Sequence, residues 1–234
     1  MNLKNIKWNL IHMLDLSKVT LVAITSVDFD DHIVSLQKSM QHAKFARVVL
    51  ATHEKPENLP DDIIWEDTGR KLNYEQFSEY CIYHMTKHVH TDFCLHVHAD
   101  SWIIRPDLWT DEFFNYDYIG APWPLSYEAF VDPFGRHIRV GNGGFSLRSK
   151  MLLDVPSNII IPFEVNEGDF YKHMNAGSYN EDGNICVHNR HLYELMGCKF
   201  APVEVAAKFS FENPVPETVE SFGFHKHLPS WANA

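Results

Sequence analysis

At 234 residues, with 45% hydrophobic and 13% aromatic side chains, the chain has enough apolar material for a sizeable core. That argues against disorder and for one fairly large domain. The formal net charge of −11 repels phosphate backbones, which excludes nucleic acid as a default partner. No window has the length and apolarity of a membrane span. The opening stretch MNLKNIKWNLIHMLDL carries Asp15 and no small-residue cleavage site, so it does not read as a secretory signal. Cys81, Cys94, Cys186 and Cys198 are scattered without a CxxC pair. Reduced, buried thiols in a cytoplasmic protein follow from that pattern.

In chain order, the apolar β-branched run KVTLVAITSV (residues 18–27) predicts a buried strand. A helix follows, capped by Asp30 or Asp31, with Ile33, Leu36, Gln37 and Met40 on its inner face. FARVVLATH (45–53) is a second buried strand, and residues 63–65 form a short third. Asn73 caps the next helix, with Gln76 in capping-box spacing. Its inner face is Phe77, Tyr80, Cys81, His84 and His88. A strand over residues 93–97 closes this half. Strands alternating with helices predict an α/β fold, with a mixed, mostly parallel sheet flanked by helices. Ligands bind such sheets beyond the carboxyl ends of the strands. Those ends read TSVD, ATHE, EDTGR and HADS, all polar.

The second half is less regular. NYDYIGAPWP is a strand running into a Pro-rich turn, and VGNGGFSLRSK is a glycine-rich turn leading into a strand. EDGNICVHNRHLYELMG predicts one helix, with Glu181 and Asp182 at its N-terminus and Gly197 closing it. KFAPVEVAAKFSFE reads as a further strand. The tail FGFHKHLPSWA has Phe222, Phe224 and Trp231 with which to dock onto the body.

Three constellations carry chemistry. In FCLHVHADSWI, strand alternation puts His96, His98 and Asp100 on one face. That set reads in three ways: a zinc site, a pair of core histidines, or one strand-end carboxylate offered to a metal-bound substrate. The alternating fold disfavours the first. In VGNGGFSLRSK, the glycines allow close backbone approach to a polar ligand, with Asn142 supplying an amide. It lacks the GxGxxG spacing and the Gly-Lys-Thr of a phosphate loop. In NEDGN the adjacent carboxylates serve the helix terminus, or provide a general base if other groups surround them.

Taken in order, NYEQFSEYC, YDYIGAPW, VGNGGFSLRS, NEDGNIC, KFAPVEVAAKFSFE and FGFHKH resemble glycosyltransferases of the GT-A fold. More closely, they resemble a glycosyltransferase-like family catalogued as a domain of unknown function. The resemblance spans residues 19–228 and implies one glycosyltransferase-like domain over residues 1–234. It implies a metal-dependent transfer of a hexosyl or deoxyhexosyl group from a nucleotide-sugar donor to a hydroxyl acceptor such as a glycan, with inversion favoured. A retaining transferase of the same fold, or an inactive carbohydrate- or nucleotide-binding relative, is the alternative. The cofactor implied is a divalent metal, Mn²⁺ or Mg²⁺.

The family's Asp-x-Asp triplet is His98-Ala99-Asp100 in this chain. Asp100 is implied as a metal ligand, and His225 in FGFH as the late histidine that completes the site. His98 departs from the pattern and either ligates the ion or hydrogen-bonds the ribose. Thr25, Ser26 and Val27 are implied at the base and ribose, with Arg70 and Tyr74 flanking the nucleotide. Asn142, Gly143 and Gly144 line the sugar pocket. Asp182 is implied as the catalytic base, with Glu181 beside it. Trp123 either stacks on an acceptor sugar or packs in the core.

Overall fold

The computed structural model describes residues 13–125, 130–163 and 180–233. Most of the N-terminal stretch read above lies outside the described residues. The first half runs β1 (Leu14–Ile24), α1 (Phe29–Met40), β2 (Ala43–Thr52), β3 (Ile64–Asp67), α2 (Tyr74–Tyr83) and β4 (Phe93–Val97). β5 (Tyr118–Ile119), β6 (Phe145–Ser149) and α3 (Lys150–Asn158) follow. Then come α4 (Glu181–Gly183), α5 (Arg190–Leu195), α6 (Val203–Phe209), β7 (Ser210–Phe211) and β8 (Gly223–Phe224).

The main sheet has the order β3-β2-β1-β4-β6-β5. β3, β2, β1 and β4 are mutually parallel, whereas β6 runs antiparallel to both β4 and β5. This is the mixed α/β sheet that the alternation predicts. Its strands read as continuous apolar runs because both faces are covered. Leu21, Ala23, Leu50, Leu95 and Val97 face α1 and α6. Val22, Ile24, Val49, Ala51 and Cys94 face α2, α3 and Ile185–Val187. All four cysteines are free and buried. Among the described residues, no helix is long and apolar enough to cross a membrane.

Several local expectations change. α1 has Asp28 at its N-cap, at φ 51° and with no side-chain cap. Asp30 and Asp31 lie inside the first turn, where they complement the helix dipole without capping it. Its buried face is His32, Ile33, Ser35, Leu36 and Ser39, while Gln37 is exposed and Met40 half-buried. The serines take these positions because backbone satisfies them. Ser35 Oγ donates to Ser101 O, and Ile103 N donates to Ser39 Oγ at 3.3 Å. α2 ends at Tyr83, so His84 caps it and His88 belongs to the 3-10 turn Met85–His88. His88 is buried there, 2.5 Å from Glu66 Oε2 and 2.9 Å from Tyr80 Oη.

The run read as a strand over residues 199–212 is largely helical. Pro202 opens α6, Ala206 and Ala207 favour helix, and Val205, Ala206 and Phe209 share its buried face. The valines suggested strand, but tertiary packing overrides that weak preference. Ser210–Phe211 is extended and pairs in parallel with β8, and Phe200 makes an isolated parallel bridge to Tyr118. The helix expected over 181–197 is also interrupted, by a π turn at Asn184–His188. Asn184 and Asn189 explain the break. Both side-chain amides donate to Pro162 O, and Asn189 Nδ2 also donates to Asn184 Oδ1 at 2.9 Å. Gly197, at φ +92°, follows α5 as expected.

The capping box of α2 forms in full. Gln76 N donates to Asn73 Oδ1 at 2.9 Å, and Asn73 N donates to Gln76 Oε1 at 3.1 Å. Asn73→Ala is expected to cost about 1 kcal/mol. Urea unfolding should show a lower midpoint with an unchanged slope.

Candidate active site

The carboxyl ends of the parallel strands open on one rim. Because β6 is antiparallel, its amino end arrives at that same rim, with Phe145 opposite Val97. The glycine-rich turn is thereby laid beside the residues that follow β4. His98 N donates to Gly144 O at 2.9 Å, and Ser101 Oγ donates to the same carbonyl at 2.6 Å. Asn142 adopts φ 53°, and its Oδ1 accepts from Gly144 N at 3.3 Å. These contacts fix two consecutive glycines between two polar clusters.

On the Gly144 side stand His98, Asp100 and His225. Each offers one metal-ligating atom, and those atoms lie within 4.8 Å of one another. The docked tail delivers His225: Phe222 and Phe224 are buried, and Phe211 meets Trp231 with ring centroids 5.2 Å apart. His225 Nε2 lies 3.4 Å from Asp100 Oδ1, and Nδ1 lies 3.2 Å from Glu212 Oε1. Burial disfavours a charged imidazole, but Asp100 and Glu212 outweigh it and raise His225 to about 9. The hydrogen bond to His225 in turn draws Asp100 down to about 2, against a smaller burial effect. Burial holds His98 well below its ordinary value and therefore neutral, and its Nε2 is buried with no hydrogen-bond partner. A neutral imidazole with an unused nitrogen, an ionised carboxylate and a second imidazole, once it has released its extra proton, suit a divalent cation. His96, which strand alternation grouped with them, is not part of the cluster. Its Nδ1 is 3.0 Å from Gly143 O, and the residue is fully buried.

On the Gly143 side stand Glu181 and Asp182. Glu181 Oε1 accepts from Arg148 Nη2 at 2.9 Å, and both side chains are buried. Asp182 accepts from Gly143 N at 2.9 Å and from Gly183 N at 2.7 Å, and keeps an edge in contact with solvent. Burial first, and the Glu181 charge second, push the Asp182 carboxyl up to about 7. The two acids therefore differ: Glu181 is held as the partner of a buried guanidinium, while Asp182 is poised to gain or lose a proton near neutrality.

The remaining predicted residues fall into separate settings. Thr25 and Ser26 are buried at the end of β1. Thr25 Oγ1 closes its own turn on Val27, and Ser26 Oγ accepts from Leu72 N at 2.8 Å. Val27 is exposed, as is Arg70, which pairs with Glu79 at 3.5 Å. Ala99 is half-buried in the turn between His98 and Asp100. Tyr74 lies with the acidic pair. Its hydroxyl donates to Asn180 Oδ1 at 2.5 Å and is raised to about 12 by burial and then by Glu181 and Asp182. Trp123 corrects the acceptor-stacking reading. It is 4% exposed, stacked on Phe130 at 3.9 Å and pressed against Gly141, so it packs in the core.

Two residues of this region were missed at the level of sequence. Arg148 stood inside the quoted SLRS, and a guanidinium central in a buried strand was the available signal. Glu212 stood at the end of a run misread as strand. It is buried, accepts from Asn142 Nδ2, and meets His225 and Lys226.

A family described as a protein of unknown function, DUF5672, matches residues 73–225, more than half of the chain. This chain belongs to DUF5672. The matched segment contains every member of the candidate metal cluster and of the acidic pair. No curated protein matches the sequence significantly. Among solved structures, an active-site mutant of LgtC is similar over 90% of this chain and 88% of its own, at 11% identity and a TM-score of 0.51. The mannosyltransferase PcManGT from Pyrobaculum calidifontis, solved with GDP-Man and Mn²⁺, matches 87% of this chain and 56% of its own at 12% identity, TM-score 0.44. Glycosyltransferase GlyE of Streptococcus pneumoniae matches 90% and 55% at 13% identity, TM-score 0.45. The likeness to LgtC establishes this DUF5672 member's fold as GT-A.

Arg148→Met leaves Glu181 as an unpaired buried charge and is expected to destabilise the protein by about 3–5 kcal/mol. Arg148→Met with Glu181→Gln should recover part of that loss in chemical denaturation, because the orphaned charge is gone.

Proposed function

We propose that this DUF5672 member is a metal-dependent glycosyltransferase that uses a nucleotide-sugar donor, with inversion of the anomeric centre. The observation that supports this reading is the pair of clusters across Gly143 and Gly144. A metal-ligating trio stands on one side and a proton-accepting carboxylate on the other, at the rim where a GT-A sheet takes its ligand.

In this reading His98, Asp100 and His225 hold a divalent ion, Mn²⁺ or Mg²⁺. Such an ion offsets the charge that grows on a diphosphate leaving group. Thr25, Ser26 and Val27 at the β1 end, with Arg70 beyond β3, face the nucleoside. Asn142, Gly143 and Gly144 present backbone to the sugar; the two glycines allow close approach because they carry no side chain, and the Asn142 amide holds the turn through Glu212 and Gly144 N. Asp182 takes the proton of the acceptor hydroxyl, and the amides of Gly143 and Gly183 hold its carboxylate in place. Glu181 positions Asp182 and does not itself act as base, since Arg148 engages it. The acceptor, a glycan or other hydroxyl compound, approaches on the Asp182 side, where Tyr74 is the exposed aromatic. The four free, buried cysteines fit a reducing, cytoplasmic setting.

Thermal shifts across a panel of nucleoside diphosphates test the donor site. A nucleotide at a hundred times its dissociation constant should stabilise the fold by about 2.7 kcal/mol, only with Mn²⁺ present. Asp100→Ala should lose that response. Tight zinc binding with no nucleotide response would overturn the reading. For the base, Asp182→Asn should abolish transfer and preserve donor binding. The active form is the carboxylate, which a raised pKa confines to higher pH. Turnover at saturating substrate should therefore decline as pH falls below about 7. A profile flat from pH 5 to 8, or near-normal turnover in Asp182→Asn, would remove Asp182 from the role.

A further inference from the structure

Glu212 lies one residue beyond β7, and His225 one residue beyond β8. The parallel pairing of those strands, with Phe211 opposite Phe224 and His225 N donating to Phe211 O at 2.8 Å, sets the two residues side by side. Glu212 is 4% exposed, so its carboxylate needs partners to remain ionised. It has three. Oε1 is 3.2 Å from His225 Nδ1, an ion-pair contact outside hydrogen-bond geometry, and 3.0 Å from Lys226 Nζ, and Oε2 accepts from Asn142 Nδ2. His225 meanwhile points Nε2 at Asp100.

An imidazole that ligates a metal is oriented by what its other nitrogen meets, and a carboxylate there fixes both tautomer and ring plane. We propose that Glu212 is the positioning residue of the candidate metal centre. It stands against Nδ1, so that Nε2 is the nitrogen that gives up its proton and turns to the ion when the ion binds beside Asp100. Through Asn142 it also binds the glycine turn to the same histidine. A Cβ on Gly144 would come within 2.2 Å of His225 Nε2, so turn and ring must be placed together. One buried carboxylate thus sets the metal histidine and the wall of the sugar pocket at once. This inference rests on the reading of His98, Asp100 and His225 as a metal site.

Calorimetric titration with Mn²⁺ alone, without nucleotide or turnover, tests it on the full chain. Wild type should bind the ion, and Glu212→Gln should bind it roughly 10–100-fold more weakly. Equal affinities in the two proteins would overturn the role of Glu212 and leave the metal reading intact. No binding by wild type would overturn both. Should Glu212→Gln fail to fold, nitrogen-15 histidine NMR of wild type loaded with diamagnetic Zn²⁺ decides the matter. The proposal requires His225 protonated at Nδ1 and coordinated through Nε2. The opposite tautomer would overturn it.

Discussion

Two neighbouring glycines have no room for a side chain, and the rest of the site follows from that crowding. A Cβ on Gly143 would lie 1.9 Å from Glu181 Oε1, and one on Gly144 would lie 2.2 Å from His225 Nε2. Backbone alone can pass between an acidic pair and the histidine of the candidate metal cluster at this separation. The passage is held from both ends. Asp182 accepts the Gly143 amide, while His98 N and Ser101 Oγ both donate to the Gly144 carbonyl. The turn acts less as a flexible loop than as a spacer that fixes the distance between two kinds of chemistry.

The spacer works only because the sheet changes direction. β4 ends at the rim and β6 begins there, which is possible only for an antiparallel neighbour. The first strands set the parallel scaffold, and the reversal at β6 supplies the wall opposite His98. The late segments then close over it: α6 and β7 bring Glu212, and β8 brings His225. Elements far apart in sequence converge because the apolar residues between them, Phe209, Phe222 and Phe224 among them, are fully buried.

Much of the scaffold was legible in the sequence because it rests on local signals. Continuous β-branched runs marked β1 and β2, and the Asn73–Gln76 spacing marked the start of α2. The parallel rim and its polar strand ends followed from the alternation of elements. What escaped reading depends on long-range contacts. α6 looked like a strand because Val203 and Val205 are β-branched, and only the packing of Phe209 against Phe113 and Phe145 decides otherwise. The π turn in the helix after Asn180 depends on Pro162, some twenty residues earlier. Arg148 and Glu212 escaped because a buried charge announces itself only through partners. Theirs are Glu181, 33 residues away, and Asn142, 70 residues away. Trp123 had two open readings, and burial decided for packing.

The adjacent acids show how environment alone separates two identical functional groups. Glu181 and Asp182 are chain neighbours, yet one faces a guanidinium and the other faces two amide N–H groups and solvent. Arg148 gives Glu181 a full counter-charge, whereas Asp182 has two neutral donors. Burial, together with the Glu181 charge, makes a second negative charge at Asp182 costly and moves its titration toward neutrality. Arg148, itself fully buried, thereby engages Glu181 and leaves Asp182 as the carboxylate of the pair that meets solvent.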